Sequence, residues 1–135
     1  MDAMSHKPGK VIIPASITPW DHELKTAHAL ARHGFTVEFV AVSNSHRAKT
    51  ADVVIDGILY EIKSPKTDKL SAVERNLKRA TKQSSSIIID SRRMRKLHDA
   101  TIQKFLSQKL KQQKTIKKIL FVNRKHEVID ISDML

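Results

Sequence analysis

The stretch TADVVIDGILYEIKSP, residues 50–65, decides the fold. Two β-branched runs flank Asp56-Gly57, and an Asp-Gly pair supplies the positive φ angles that a two-residue hairpin turn requires. Such a turn sets the register: Ile55 faces Ile58, Val54 faces Leu59, Val53 faces Tyr60, and Asp52 faces Glu61. Side chains alternate along a strand, so Lys63 shares the face of Glu61, while Val53, Ile55, Ile58, Tyr60 and Ile62 make the other face wholly apolar. Directly opposed like charges destabilise a hairpin, and a bound divalent ion would compensate an Asp set against a Glu. Two carboxylates leave coordination positions open to water and phosphate oxygens, as Mg²⁺ prefers, and a neighbouring ammonium can stabilise phosphoryl charge or position water. The implied reaction is metal-assisted phosphodiester hydrolysis. The competing reading makes Asp52, Glu61 and Lys63 a salt-bridged solvent face of an amphipathic hairpin. Asp56, although acidic and close by, reads as a turn residue.

Working outward, Thr18 reads as an N-cap with Pro19 at the first helical position; Trp20, Leu24, Ala27 and Ala31 then recur at helical spacing until Gly34. Phe35 to Val42 alternates as a strand, and SNSHRAKT (43–50) is a polar loop. Downstream, Leu70, Val73, Leu77 and Ala80 form the apolar stripe of a second helix over Lys66 to Gln83. Ile87, Ile88 and Ile89 have the pattern of a strand covered on both faces, ended by Asp90. Ile102, Phe105, Leu106 and Leu110 mark a third helix, and ILFV with VIDI around NRKHE a closing strand pair. Val11 to Ile13 adds a short strand before Pro14. The prediction is an α/β domain: a mixed β-sheet flanked by helices, with an αβββαβ core and a C-terminal helix plus strand pair. It occupies residues 11–135 as a single domain, after a flexible lead-in at 1–10.

Composition narrows the partners. Lys and Arg number 25 against 14 acids, a formal charge of +11 over 135 residues, which favours polyanions through counterion release. The alternative is that the charge only keeps a small domain in solution. With no cysteine, disulfides, thiol catalysis and thiolate zinc sites are excluded. No apolar run approaches the roughly 18 residues of a membrane span, and MDAMSHKPGK lacks the apolar middle of a signal peptide. His22, His28 and His33 do not make a zinc set, because only His22 and His33 share a helix face, about 16 Å apart along it. No glycine-rich phosphate loop or nucleophile elbow is present, and aromatic residues are too few for a base-stacking sheet. The basic groups RRMRK (92–96) and KLKQQKTIKK (109–118) are candidates for gripping phosphate, against the plainer reading of solvated charge.

An acid, a short strand-turn-strand interval and then E-I-K, set in an αβββαβ order, resemble the PD-(D/E)xK nuclease superfamily, with Ala51-Asp52 in place of Pro-Asp. More narrowly, HELKTAHALARHGFTVEFV (22–40), ADVVIDGILYEIKSP (51–65) and ERNLKRATKQSSSIIIDSRR (74–93) resemble the tRNase toxin domain at the C-terminus of contact-dependent growth inhibition (CdiA) proteins. The resemblance implies that Asp52 and Glu61 hold the metal and that Lys63 assists the water. It implies Glu23 as the third acid and metal ligand, against a plainer role as a first-turn acid stabilised by the helix dipole. Gln83 is implied as an auxiliary active-site residue and Asn76 as a weaker one, while Arg79 reads as solvated helix surface. Ser64 either contacts phosphate or turns the chain before Pro65. Asp90 pairs with Arg92 or Arg93 in a structural salt bridge, the two arginines also being candidate phosphate contacts. The implied cofactor is Mg²⁺ or Mn²⁺, with Zn²⁺ as the alternative ion. The implied substrate is RNA, specifically tRNA, and the implied partner is an acidic immunity protein over the basic cleft. The expected place of action is the bacterial cytoplasm, after delivery within a larger secreted effector. The rivals are a DNA endonuclease of restriction or repair type and a non-catalytic basic nucleic-acid-binding module.

Overall fold

The computed structural model describes residues 7–41 and 52–134. The expected polar loop 43–50, Val42 and residues 1–6 of the expected lead-in lie outside the described residues. Seven strands form one mixed sheet whose spatial order, β1 to β7, repeats their order along the chain. They are β1 (Val11–Ile12), β2 (Val37–Val40), β3 (Asp52–Ile55), β4 (Ile58–Lys63), β5 (Ser86–Asp90), β6 (Lys118–Val122) and β7 (Val128–Asp130). Three helices intervene, α1 (Asp21–Arg32), α2 (Leu70–Thr81) and α3 (Asp99–Gln112), and a 3-10 turn at Ile131–Met134 follows β7. The order αβββαβ, with a helix and strand pair after it, is the predicted one.

The hairpin register is also as read. Asp52 pairs with Glu61 and Val53 with Tyr60, and Asp56 and Gly57 take φ of 52° and 77°, the left-handed pair that matches hairpin twist. β4, β5 and β6 run parallel, whereas β2, β3, β4 and the β6–β7 pair are antiparallel. On one face α1 covers Val37, Phe39, Val53, Tyr60, Ile62 and Ile88 with Ala27 and Leu30. On the other, α2 and α3 bring Val73, Leu77, Ile102 and Leu106 onto Ile87, Ile89, Ile119 and Phe121. The triple isoleucine thus feeds both cores by alternation, which is why no polar residue interrupts it.

Local hydrogen bonds move several predicted boundaries. α1 starts after Trp20 rather than after Thr18, because the Glu23 carboxylate accepts the Trp20 N–H at 2.8 Å and makes Trp20 the cap position. α2 starts at Leu70, since residues 66–69 are held in a bend: Asp68 Oδ1 accepts the N–H groups of Lys96 at 3.0 Å and Leu97 at 3.2 Å. β2 begins at Val37 because the Phe35 N–H is committed to Leu30 O at the end of α1. Within the expected lead-in, the Gly9 N–H donates to Ala31 O at 2.7 Å and Lys10 O accepts from Val37 at 2.8 Å.

Candidate active site

Asp52 opens β3, and Glu61 and Lys63 close β4, all on the sheet face towards α2. They are not a solvent face: Asp52, Glu61 and Lys63 are 6%, 1% and 8% exposed. Lys63 Nζ lies 3.5 Å from Glu61 Oε2. Among the described residues neither Glu61 Oε1 nor Oε2 accepts a hydrogen bond, an unusual condition for a buried carboxylate. Burial first, and then the adjoining Glu61 carboxylate, pushes the Asp52 carboxyl up to about 8, with Lys63 pulling the other way. At neutral pH Asp52 therefore keeps its proton.

A cleft of about 260 Å³ opens over Lys63, with Ser64, Asn76, Arg79, Trp20 and Glu23 among its walls. Glu23 is buried there by the first turn of α1. Its carboxylate accepts from the Trp20 N–H, and the described residues contain no group of three His, Asp or Glu side chains arranged to hold one ion. The structure thus brings together Asp52, Glu61 and Lys63 and sets Glu23 at the cleft that Lys63 lines. Trp20, 58% exposed, stands at the rim with its ring 6.1 Å from that of His22. Asn76 donates to Ala72 O at 2.7 Å within its own helix. Gln83 is exposed beyond the end of α2, next to Ser84, whose hydroxyl donates to Leu59 O near the hairpin turn, and it is not among the residues that wall the cleft. Ser64 has a buried hydroxyl with no hydrogen bond among the described residues, while its carbonyl accepts from Arg93 Nη1 at 3.2 Å.

Asp90 is the structural anchor expected of it. Its Oδ2 accepts from the Thr26 hydroxyl at 2.5 Å, tying α1 to β5, and from Arg92 Nη2 at 2.7 Å. Of the two basic runs, KLKQQKTIKK is partly spent on ion pairs, Lys109 with Glu74 at 2.8 Å and Lys118 with Asp130 at 3.1 Å. In the other run Arg92 is likewise paired, with Asp90, while Arg92, Arg93 and Arg95 line a depression of about 540 Å³ with Lys66 and Asp68.

A larger cavity, of about 720 Å³, lies on the α1 side, walled by Lys25, His28, Arg32, Arg92, Arg93 and His126 among others. Sequence reasoning missed it, although the spacing of Lys25, His28 and Arg32 along one helix face was a signal. Burial, then Arg93, holds the His22 imidazole below its ordinary value.

The geometry defines a small basic α/β domain organised around a buried carboxylate–lysine hairpin. Residues 49–128, more than half of the chain, match the contact-dependent growth inhibition CdiA C-terminal domain, and the chain belongs to that family. Among solved structures it is similar to a CdiA-CT/CdiI toxin and immunity complex from Burkholderia pseudomallei. The TM-score is 0.69 at 15% identity, over 90% of this chain and 98% of that one, a likeness of fold. No curated protein matches. No helix among the described residues is long and apolar enough to cross a membrane.

Proposed function

We propose that this domain is the toxic end of a contact-dependent growth inhibition effector and hydrolyses phosphodiester bonds in RNA, with tRNA as the favoured substrate and a divalent ion as cofactor. The observation that carries the reading is the buried pair Asp52 and Glu61 beside Lys63, with two Glu61 oxygens that accept no hydrogen bond among the described residues, Lys63 itself lining a basic cleft. The donor set fits a hard divalent cation: both groups are carboxylates, burial keeps the proton on Asp52 in the metal-free fold, and Glu61 accepts no hydrogen bond among the described residues. Asp52 and Glu61 would hold the ion, which when bound supplies neutralisation of the pair and polarisation of a phosphoryl oxygen. Lys63 keeps its ammonium within reach of Glu61 and of the cleft, where it can steady phosphoryl charge or orient a water. Ser64 offers an unused hydroxyl and Arg93 a guanidinium beside it. Trp20 presents an exposed indole on which an unpaired base can stack.

Family membership supports the toxin part of this reading, and the Burkholderia neighbour, by its title, is paired with an immunity protein. A chain of charge +11 would be matched by an acidic immunity partner covering the clefts. The site of action would be the cytoplasm of a bacterial target cell, reached as part of a larger secreted protein.

The test is incubation of the purified chain with tRNA and, separately, plasmid DNA, each with Mg²⁺, with Mn²⁺ and with EDTA. tRNA cleavage that needs a divalent ion and is lost in Lys63→Ala and Asp52→Ala is the expected result. Cleavage that survives both substitutions sinks the assignment, and plasmid cleavage alone moves the substrate to DNA.

A further inference from the structure

We propose that the cavity between α1 and the β6–β7 turn is a second binding site, for the phosphodiester backbone of RNA, placed beside the hairpin rather than on it. The identity of the ligand rests on the nuclease reading; the site itself rests on charge and geometry.

Four permanent cations, Lys25, Arg32, Arg92 and Arg93, line this cavity against one carboxylate, Asp90. That carboxylate is already committed. Thr26 donates to it, and Arg92 binds it through Nε at 3.0 Å and Nη2 at 2.7 Å. The arrangement fixes the Arg92 guanidinium and leaves its Nη1 edge without a hydrogen bond among the described residues, so little side-chain entropy is lost when an anion arrives. Arg32 has no carboxylate within ion-pair distance among the described residues; its neighbour is His126, Nη2 to Nδ1 at 3.4 Å. Arg93 likewise meets only the Ser64 carbonyl among the described residues. Lys25 pairs with Asp21 at 3.3 Å, but both side chains are largely exposed and such a pair is weak. A recess walled by four cations, of which Arg32 and Arg93 have no carboxylate partner among the described residues, concentrates anions, and guanidinium groups match the geometry of phosphate oxygens.

Position names the kind of anion. Arg93 lines all three cavities, and Ser64 and His22 line both this one and the cleft over Lys63. A strand lying across Arg93 would thus have successive phosphates in the recess while another stood at the hairpin. An acidic protein would meet the same charges, but a recess continuous with the cleft over Lys63 suits a slender chain better than a broad surface.

The experiment uses the full chain carrying Lys63→Ala to silence cleavage, with fluorescently labelled tRNA and duplex DNA followed by anisotropy across a KCl series. Removing two phosphate contacts with Lys25→Ala and Arg32→Ala together should weaken tRNA binding about 30-fold or more near 0.1 M salt and flatten the log–log salt slope by about 2. The matched control, Lys78→Ala with Lys82→Ala on the exposed side of α2 and just beyond it, should change affinity by no more than about 3-fold. All four side chains are exposed, so thermal unfolding of each variant should track the parent. Cleft variants that bind tRNA no worse than the control overturn the proposal and leave the recess to a protein partner. If such variants appear in a chain that still cleaves tRNA when Lys63 is restored, only the second site falls. A chain that binds neither nucleic acid overturns the nuclease reading along with it.

Discussion

Replacing Asp52 by Asn should make the metal-free protein more stable while abolishing its chemistry. The Asp52 carboxyl has an ordinary value of 3.8 and is pushed up to about 8 in the fold, first by burial and then by Glu61. Its native value lies above its unfolded value, so its contribution is intact below pH 4 and is lost progressively as pH rises towards 8. At pH 7 the native state forgoes about three pH units of ionisation that the unfolded chain enjoys, a ceiling of ~4 kcal/mol at ~1.4 kcal/mol per unit. At the effective dielectric typical of protein sites this falls to roughly 2 kcal/mol. Asn has no charge to forgo and presents an N–H where the protonated acid presents an O–H. Urea unfolding in EDTA should therefore show the variant ahead by ~2 kcal/mol at pH 7, or roughly 6–12 °C in Tm, and level within about 0.5 kcal/mol at pH 4. Equal stability at pH 7, or a gain that persists undiminished on acidification, would refute the account of a crowded, uncompensated acid pair. Added Mg²⁺ should stabilise the parent by mass action and leave the Asp52→Asn variant unmoved.

Lys63→Met should act in the opposite sense, removing the cation beside the buried Glu61 and costing ~3 kcal/mol in urea at pH 7; an unchanged midpoint would show that the 3.5 Å pair is idle. Glu23→Gln retains an acceptor for the Trp20 N–H and should unfold within about 0.5 kcal/mol of the parent, whereas Glu23→Ala should lose ~1 kcal/mol. If the Glu23→Gln variant instead loses its Mg²⁺-dependent thermal shift, Glu23 reaches the ion as well as the cap. Gly9→Ala would put a Cβ 1.8 Å from Phe35 O, a backbone atom that cannot yield, and should lower stability by more than ~2 kcal/mol in a thermal melt; tolerance would mean that residues 9 and 10 are not fastened to the fold.

What is legible without coordinates is whatever short-range chemistry decides. Asp56-Gly57 admits few turn geometries, so one dipeptide sets the pairing of Asp52 with Glu61 and hence the face shared by Lys63. Three adjacent isoleucines imply two-sided burial, which Ile88 on one side and Ile87 and Ile89 on the other satisfy. The sequence misleads where a distant partner intervenes. Asp68 binds the loop before α3 instead of continuing a helix backwards from Leu70. Helical spacing rules His22, His28 and His33 out as one zinc set and goes no further. The actual setting of His22 and His28, facing Arg92 and His126, depends on elements more than sixty residues away, about which that spacing is silent.

The agreement between strand order in the sheet and strand order in the chain bears on how such a domain is born. Each new strand joins the exposed edge left by its predecessor, so no segment has to wedge between two that are already zipped together, and every strand pairs with its neighbours in the chain. A chain that emerges end-first from a ribosome, or threads unfolded through a pore, can therefore assemble in the sequence in which it arrives. Asp52 meets Glu61 and Lys63 as soon as the fourth strand clears, before the second half of the sheet exists to bury them.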